Sequence, residues 1–211
     1  MKRFQMITEA DARVLDYGST VILVAGGHVT PLARDTMRER RISIVREGAD
    51  EDLAPLVPSS DVRTVAIGGD HTAVSLKNAI RQHLRGRGLA VEDVGTDTSE
   101  PVDYPDTAAA VAIKVSRGEA HVGIVMDGAG LGSTIVANKV VGVRAAMCLN
   151  QTLARYARQH NGANVLALGS TLVTTEEALA IVDTFIGTSM TEPRYIRRLA
   201  KIKALEGGPQ V

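Results

Sequence analysis

Residues 122–139, VGIVMDGAGLGSTIVANK, hold a strand-like apolar run, a glycine-rich turn and the start of a helix in one segment. The run Val122 to Met126 ends in Asp127-Gly128-Ala129-Gly130-Leu131-Gly132-Ser133-Thr134. Alternating glycines allow successive backbone N–H groups to converge on an anion at a helix N-terminus, and phosphate, carboxylate or an enediolate oxygen would all fit. The spacing is G-x-G-x-G rather than the dinucleotide G-x-G-x-x-G, and no acidic ribose ligand is marked. A nucleotide-binding protein is therefore the minority alternative.

Four further apolar runs share the pattern: Thr64 to Ile67, Ala90 to Val94, Val143 to Met147 and Val165 to Leu168. The stretches between them, including Ala73 to Arg85, Pro105 to Ser116 and Thr175 to Phe185, space their apolar residues as helices do. This alternation predicts an α/β chain with a Rossmann-like, doubly wound, five-stranded parallel sheet. Ligands of such sheets sit beyond the carboxyl ends of the strands, so the turns there carry the functional expectation.

Upstream, Ile7 to Val45 has the signals of a small α/β unit. Thr8 with Asp11 marks a helix start, Thr20 to Ala25 is strand-like, Thr30-Pro31 opens a second helix, and Ile42 to Val45 is a short strand. The expected organisation is an N-terminal extension over 1–46, a linker over 47–62, a main domain over 63–206 and a tail over 207–211.

Composition narrows the function classes. Lys plus Arg and Asp plus Glu both number 24 in 211 residues, so no global basic field holds nucleic acid or an anionic membrane. The single cysteine, Cys148, excludes an internal disulfide and a cysteine-based metal site, and a cytoplasmic address is expected. Glu9, Asp11 and Arg13 stand where a signal peptide needs apolar residues, and no run approaches the roughly 18 apolar residues of a membrane span. His28, His83 and His121 have no ligand-like spacing to a second His or acid, so no metal is expected.

Three other segments carry candidate chemistry. Gly68-Gly69-Asp70-His71 puts a carboxylate and an imidazole at a strand end, where Asp70 could equally cap the following helix. His160-Asn161 closes another helix, as a proton-transfer group or as a residue favoured at a helix C-terminus. Arg194 and Arg198, at i and i+4, share a helix face that could clamp a phosphate or simply face solvent.

Together these segments resemble the ribose-5-phosphate isomerase B and galactose-6-phosphate isomerase family from about Arg63 to Glu206. The matching blocks are GGDH (68–71), VDYPD (102–106), GAGLGSTIVANK (128–139), GVRAA (142–146), HNGANVLALGS (160–170) and RYIRR (194–198). The resemblance implies cofactor-free isomerisation of a phosphorylated sugar in a homodimer or tetramer whose active sites lie between subunits. It implies that His160 opens the sugar ring with Asp70 assisting, that Asn161 and the Gly128, Gly130 and Gly132 amides hold the enediolate, and that Tyr104 lines the pocket. His71, Arg194 and Arg198 would bind phosphate.

The chain departs from the family at functional positions. Asp127 stands where many members carry a cysteine base, which leaves it as the candidate base. Ala129 and Ser133 lack the usual hydroxyl and the alternative glutamate, and Thr171 replaces a frequent phosphate-binding arginine. These departures resemble the A subunit of galactose-6-phosphate isomerase, which pairs with a related isomerase subunit. The segment 29–45 is similar to short stretches of bacterial microcompartment proteins, which implies a docking role inside such a shell.

Overall fold

The computed structural model describes residues 2–46, 56–58, 61–190 and 193–206, and the chain divides into two units, Met1–Pro55 and Leu56–Val211. In the first, β1 (Arg3–Ile7), α1 (Glu9–Val14), β2 (Thr20–Val29), α2 (Pro31–Glu39) and β3 (Ser43–Arg46) alternate. They build a parallel sheet of order β1-β2-β3. Thr8 and Asp11 form a reciprocal capping box, and the Thr30 hydroxyl accepts from Ala33 N at 3.3 Å ahead of Pro31. Strand β1 was not expected from the sequence. It is an edge strand whose Ile7 alone is buried, so its apolar signal is one residue deep.

Part of the stretch expected as linker, 47–55 and 59–60, lies outside the described residues. Its remainder is not uniform: Leu56 and Val62 are buried in the second unit.

That unit contains β4 (Thr64–Gly69), α3 (Val74–Gly86), β5 (Ala90–Asp93), α4 (Tyr104–Ser116), β6 (Val122–Asp127), α5 (Leu131–Ala137), β7 (Ala145–Met147), α6 (Gln151–Asn161), β8 (Val165–Gly169), α7 (Thr175–Gly187) and α8 (Pro193–Leu205). The five strands are parallel in the order β5-β4-β6-β8-β7. Residues β4, β6 and β8 turn to alternate faces explain the two cores. Val65, Ile67, Ile124, Met126, Leu166 and Leu168 pack with α3, α6 and α7, whereas Ala66, Val125, Val165 and Ala167 pack with α4 and α5. The doubly wound five-stranded sheet expected from the sequence is therefore present.

The strand order reverses between β4 and β6. Such a switch point opens a crevice at the carboxyl edge, because the helices following the two strands leave to opposite faces. Asp70 and Asp127 stand at or just past the ends of those two strands, where Gly69 pairs with Met126.

Candidate functional site

At the end of β6 the carboxylate of Asp127 is 5% exposed and folds back onto its own turn. Its Oδ1 accepts from Ala129 N at 2.9 Å and from Gly130 N, and its Oδ2 accepts from Ser133 N at 2.8 Å. Gly130, at φ +77°, supplies the left-handed backbone that aims these amides at one point. A Cβ on it would also lie 2.9 Å from Gly169 N. Burial alone would raise the Asp127 pKa, but the hydrogen bonds from Ser133, Gly130 and Ala129 outweigh it and hold the group below its ordinary value. The desolvation a carboxylate base needs is thus present in the resting turn but overridden. Ser133 Oγ, fully buried beside this carboxylate, makes no hydrogen bond of normal geometry.

Asp70, also 5% exposed, does not cap α3, whose N-cap Ala73 has no side-chain bond. Its Oδ1 instead accepts from Thr72 N at 2.9 Å and Thr72 Oγ1 at 2.6 Å, an Asx turn engaging one oxygen. Thr72 Oγ1 in turn accepts from Ser170 Oγ at 3.5 Å, and Thr171 Oγ1 donates to Gly128 O at 2.7 Å. The turns after β4, β6 and β8 are therefore laced into one rim. His71 Nδ1 accepts from Val102 N at 3.3 Å, which leaves Nε2 as the N–H of the neutral ring. Tyr104 packs against the glycine turn, its Cε2 and Cζ 2.6 Å from where a Cβ on Gly132 would sit.

One rim thus gathers Asp70, His71, Tyr104, Asp127, Gly128, Gly130 and Gly132. His160 and Asn161 are not part of it. They close α6 just before β8 begins, at the amino edge of the sheet, whereas Asp127 ends β6 at the carboxyl edge. Register pairs Gly123 with Val165 and Asp127 with Gly169, so about 13 Å of strand separates the two edges at ~3.3 Å per residue. At that far edge the His160 ring stacks between Tyr156 and Tyr195, and Arg198 lies over Tyr195 at 5.7 Å. Asn161 Nδ2 donates to Tyr156 O at 3.3 Å. The Arg194 side chain lies outside the described residues.

Sequence patterns gave no role to Thr72 or Tyr156, and Ser170 and Tyr195 stood only within the matching blocks. Hydroxyls in turns and tyrosines in helices are too common to stand out, and only their neighbours give them meaning. Cys148 is fully buried just past β7, and burial pushes its thiol up to about 12. Among the described residues, no cluster of three or more His, Cys, Asp or Glu could hold a metal, and no helix is long and apolar enough to cross a membrane.

A doubly wound α/β domain with acid, imidazole and convergent amides at its switch point is an arrangement that can bind a small anion and move a proton. Residues 65–202 match the Ribose/Galactose Isomerase family, and the chain belongs to it. Ribose-5-phosphate isomerase B of Escherichia coli is 43% identical over 145 residues, 69% of this chain and 97% of that protein. D-erythrulose-4-phosphate isomerase of Pectobacterium atrosepticum is 41% identical over 124 residues, 58% of this chain and 82% of that one. The structure of Clostridium thermocellum ribose-5-phosphate isomerase B superposes with a TM-score of 0.67 at 46% identity, covering 68% of this chain and 97% of the other. The family match begins at residue 65, past the N-terminal unit.

Proposed function

We propose that the chain interconverts ribose 5-phosphate and ribulose 5-phosphate through an enediolate, at the carboxyl edge of its five-stranded sheet. The observation that carries this reading is the gathering of two buried carboxylates, an imidazole, a tyrosine and convergent amides at one switch point. Asp127 takes the C2 proton, the C–H electron pair forms the C1=C2 bond, and the carbonyl pair moves onto O1. Return of the proton to C1, with loss of the O2 proton to O1, leaves the ketose; atoms and charge balance without a cofactor. Amides of the 128–132 turn stabilise O1 as its charge develops.

The resting hydrogen bonds of Asp127 fit this role. The substrate's carbonyl oxygen O1, entering the turn, takes over the amides that now hold the carboxylate, and burial, no longer opposed, raises its basicity when a base is needed. His71 binds the phosphate together with Arg194 and Arg198, which lie on α8 at the His160 edge and so come from a second copy, and Tyr104 lines the pocket. His160 opens the sugar ring with Asp70 and, with Asn161, comes from a second copy. The separation of the two sheet edges supports this, because one chain cannot bring His160 to its own Asp127. Leu149, Leu153 and Tyr156, exposed on the α6 side that carries His160, suit the contact between copies. The setting is cytoplasmic, and the resemblance of segment 29–45 supports docking of the N-terminal unit in a shell.

Deuterium incorporation at C1 of ribulose 5-phosphate and C2 of ribose 5-phosphate in D2O tests the reading, with Asp127→Asn and His160→Ala beside the wild type and D-erythrulose 4-phosphate as a second substrate. Wild-type protein that exchanges neither sugar refutes it. The occupied amides of Asp127 favour one other reading, a subunit that binds the sugar phosphate while a related isomerase subunit supplies the base. Turnover that appears only on co-expression with such a partner would select it.

A further inference from the structure

Catalytic histidines are ordinarily oriented by a hydrogen bond from one ring nitrogen to a carboxylate or carbonyl, which fixes both the tautomer and the plane of the ring. Among the described residues, none makes such a bond with His160. Neither imidazole nitrogen makes a hydrogen bond among the described residues, although the residue is half-buried in the last turn of α6. What holds it is a pair of aromatic faces. Tyr156, one turn earlier on the same helix, stacks on one side at 4.6 Å between centroids and 15° between planes. Tyr195 of α8 stacks on the other at 4.6 Å and 28°.

The two tyrosines have different surroundings. Tyr195 is 7% exposed, and Arg198 extends over its ring at 5.7 Å. Tyr156 is 47% exposed and bears on His160 from the open side. The i, i+4 spacing of Tyr156 and His160 makes their stack a local property of α6, while the Tyr195 contact depends on α8 packing, where Leu199 lies within 2.5 Å of a Cβ placed on Gly162.

We propose that Tyr156 and Tyr195 are positioning residues for sugar-ring opening: they fix the plane of His160 by stacking and leave both its nitrogens free to exchange protons with the substrate. The proposal rests on the functional reading above. It predicts a division of labour, since a furanose ring must open before isomerisation but an open-chain sugar has nothing to open. Ribulose 5-phosphate is open-chain by its own chemistry, because the hydroxyl that would close a five-membered ring carries the phosphate. The same holds for a tetrose 4-phosphate.

The test compares two reactions of the same purified full-length protein. One is the conversion of ribose 5-phosphate; the other is deuterium exchange from D2O into C1 of ribulose 5-phosphate, which passes through the enediolate without a cyclic sugar. Tyr156→Leu is expected to lower kcat for ribose 5-phosphate by about 10- to 100-fold, the scale of an ångström of misplacement, and to leave the ribulose 5-phosphate exchange rate within about threefold. Tyr156→Phe, which keeps the ring and removes only the hydroxyl, restores ribose 5-phosphate conversion. Tyr195→Leu repeats the kcat loss and also raises KM for both sugars, because Arg198 loses its platform.

A parallel fall of both reactions in Tyr156→Leu overturns the proposal, as does conversion of ribose 5-phosphate at the wild-type rate. Should Tyr195→Leu fail to fold, Tyr156→Leu still decides, with its oligomeric state matched to the wild type by size-exclusion chromatography because Tyr156 also lies on the proposed contact between copies. Absence of exchange in the wild type refutes the functional reading instead, so the two failures are distinguishable.

Discussion

Replacing Lys77 by methionine tests whether a buried ion network positions the active-site rim. Lys77 is fully buried on α3, and its Nζ donates to Asp93 Oδ1 and Oδ2 at 2.9 and 2.7 Å and to Asp97 Oδ1 at 2.9 Å. Asp93, whose side chain is 10% exposed, also accepts from Arg81 at 2.6 Å and from Gly95 N at 3.0 Å. Removing one partner of a buried pair typically costs about 3–5 kcal/mol, because the other charge stays buried. Here Arg81 remains on Asp93, and Asp97, 64% exposed, returns to water, so the expected loss is about 2–3 kcal/mol.

The network also reaches the site. A Cβ on Gly95 would lie 2.5 Å from Gly69 N, so the turn that Asp93 anchors is seated directly on the end of β4, one residue before Asp70. Lys77→Met is therefore expected to lower kcat/KM about tenfold at temperatures where the variant is fully folded. Urea unfolding followed by circular dichroism, with steady-state kinetics at 20 °C on the same preparation, measures both quantities. A stability loss below about 1 kcal/mol, or unaltered kinetics in a clearly destabilised variant, would refute the reasoning.

Three further outcomes follow from the same contacts. Gly132→Ala puts a methyl group 2.6 Å from two ring atoms of Tyr104, and the displaced ring is expected to raise KM for ribose 5-phosphate severalfold with little change in far-UV dichroism. The Cys148 thiol, buried and pushed up to about 12, should resist iodoacetamide at pH 8 in the native protein and react readily in denaturant, as mass spectrometry would show. Because the Asp127 pKa is lower folded than unfolded, its contribution to stability is full above about pH 4 and fades as pH falls through the folded value. Thermal melts of the wild type and Asp127→Asn should accordingly differ at pH 7 and converge in acid.

Much of the architecture was legible along the chain because its signals are local. Strand-like runs between helical stretches fix a doubly wound sheet, a threonine before a proline marks the start of α2, and alternating glycines after a strand mark a turn whose amides converge. None of this needs knowledge of distant neighbours. Edge strand β1, with one buried residue, fell below what periodicity can detect.

Proximity of residues far apart in sequence was beyond such signals. Asp70 and Asp127 share a rim because β4 and β6 are adjacent in the sheet, although β5 lies between them along the chain. His160, in a polar cluster between two apolar elements, resembled part of the same site, yet the strand register puts it at the opposite edge. Its stacking between Tyr156 and Tyr195 depends on where α8 packs. The basicity of Asp127 was equally hidden: residue type makes it a carboxylate, but whether burial or three backbone amides sets its pKa depends on how the turn folds back. The sequence specifies which groups are present and which elements they ride on. Only the packed chain determines which of them meet, because those contacts arise from the sum of many weak long-range interactions rather than from any local pattern.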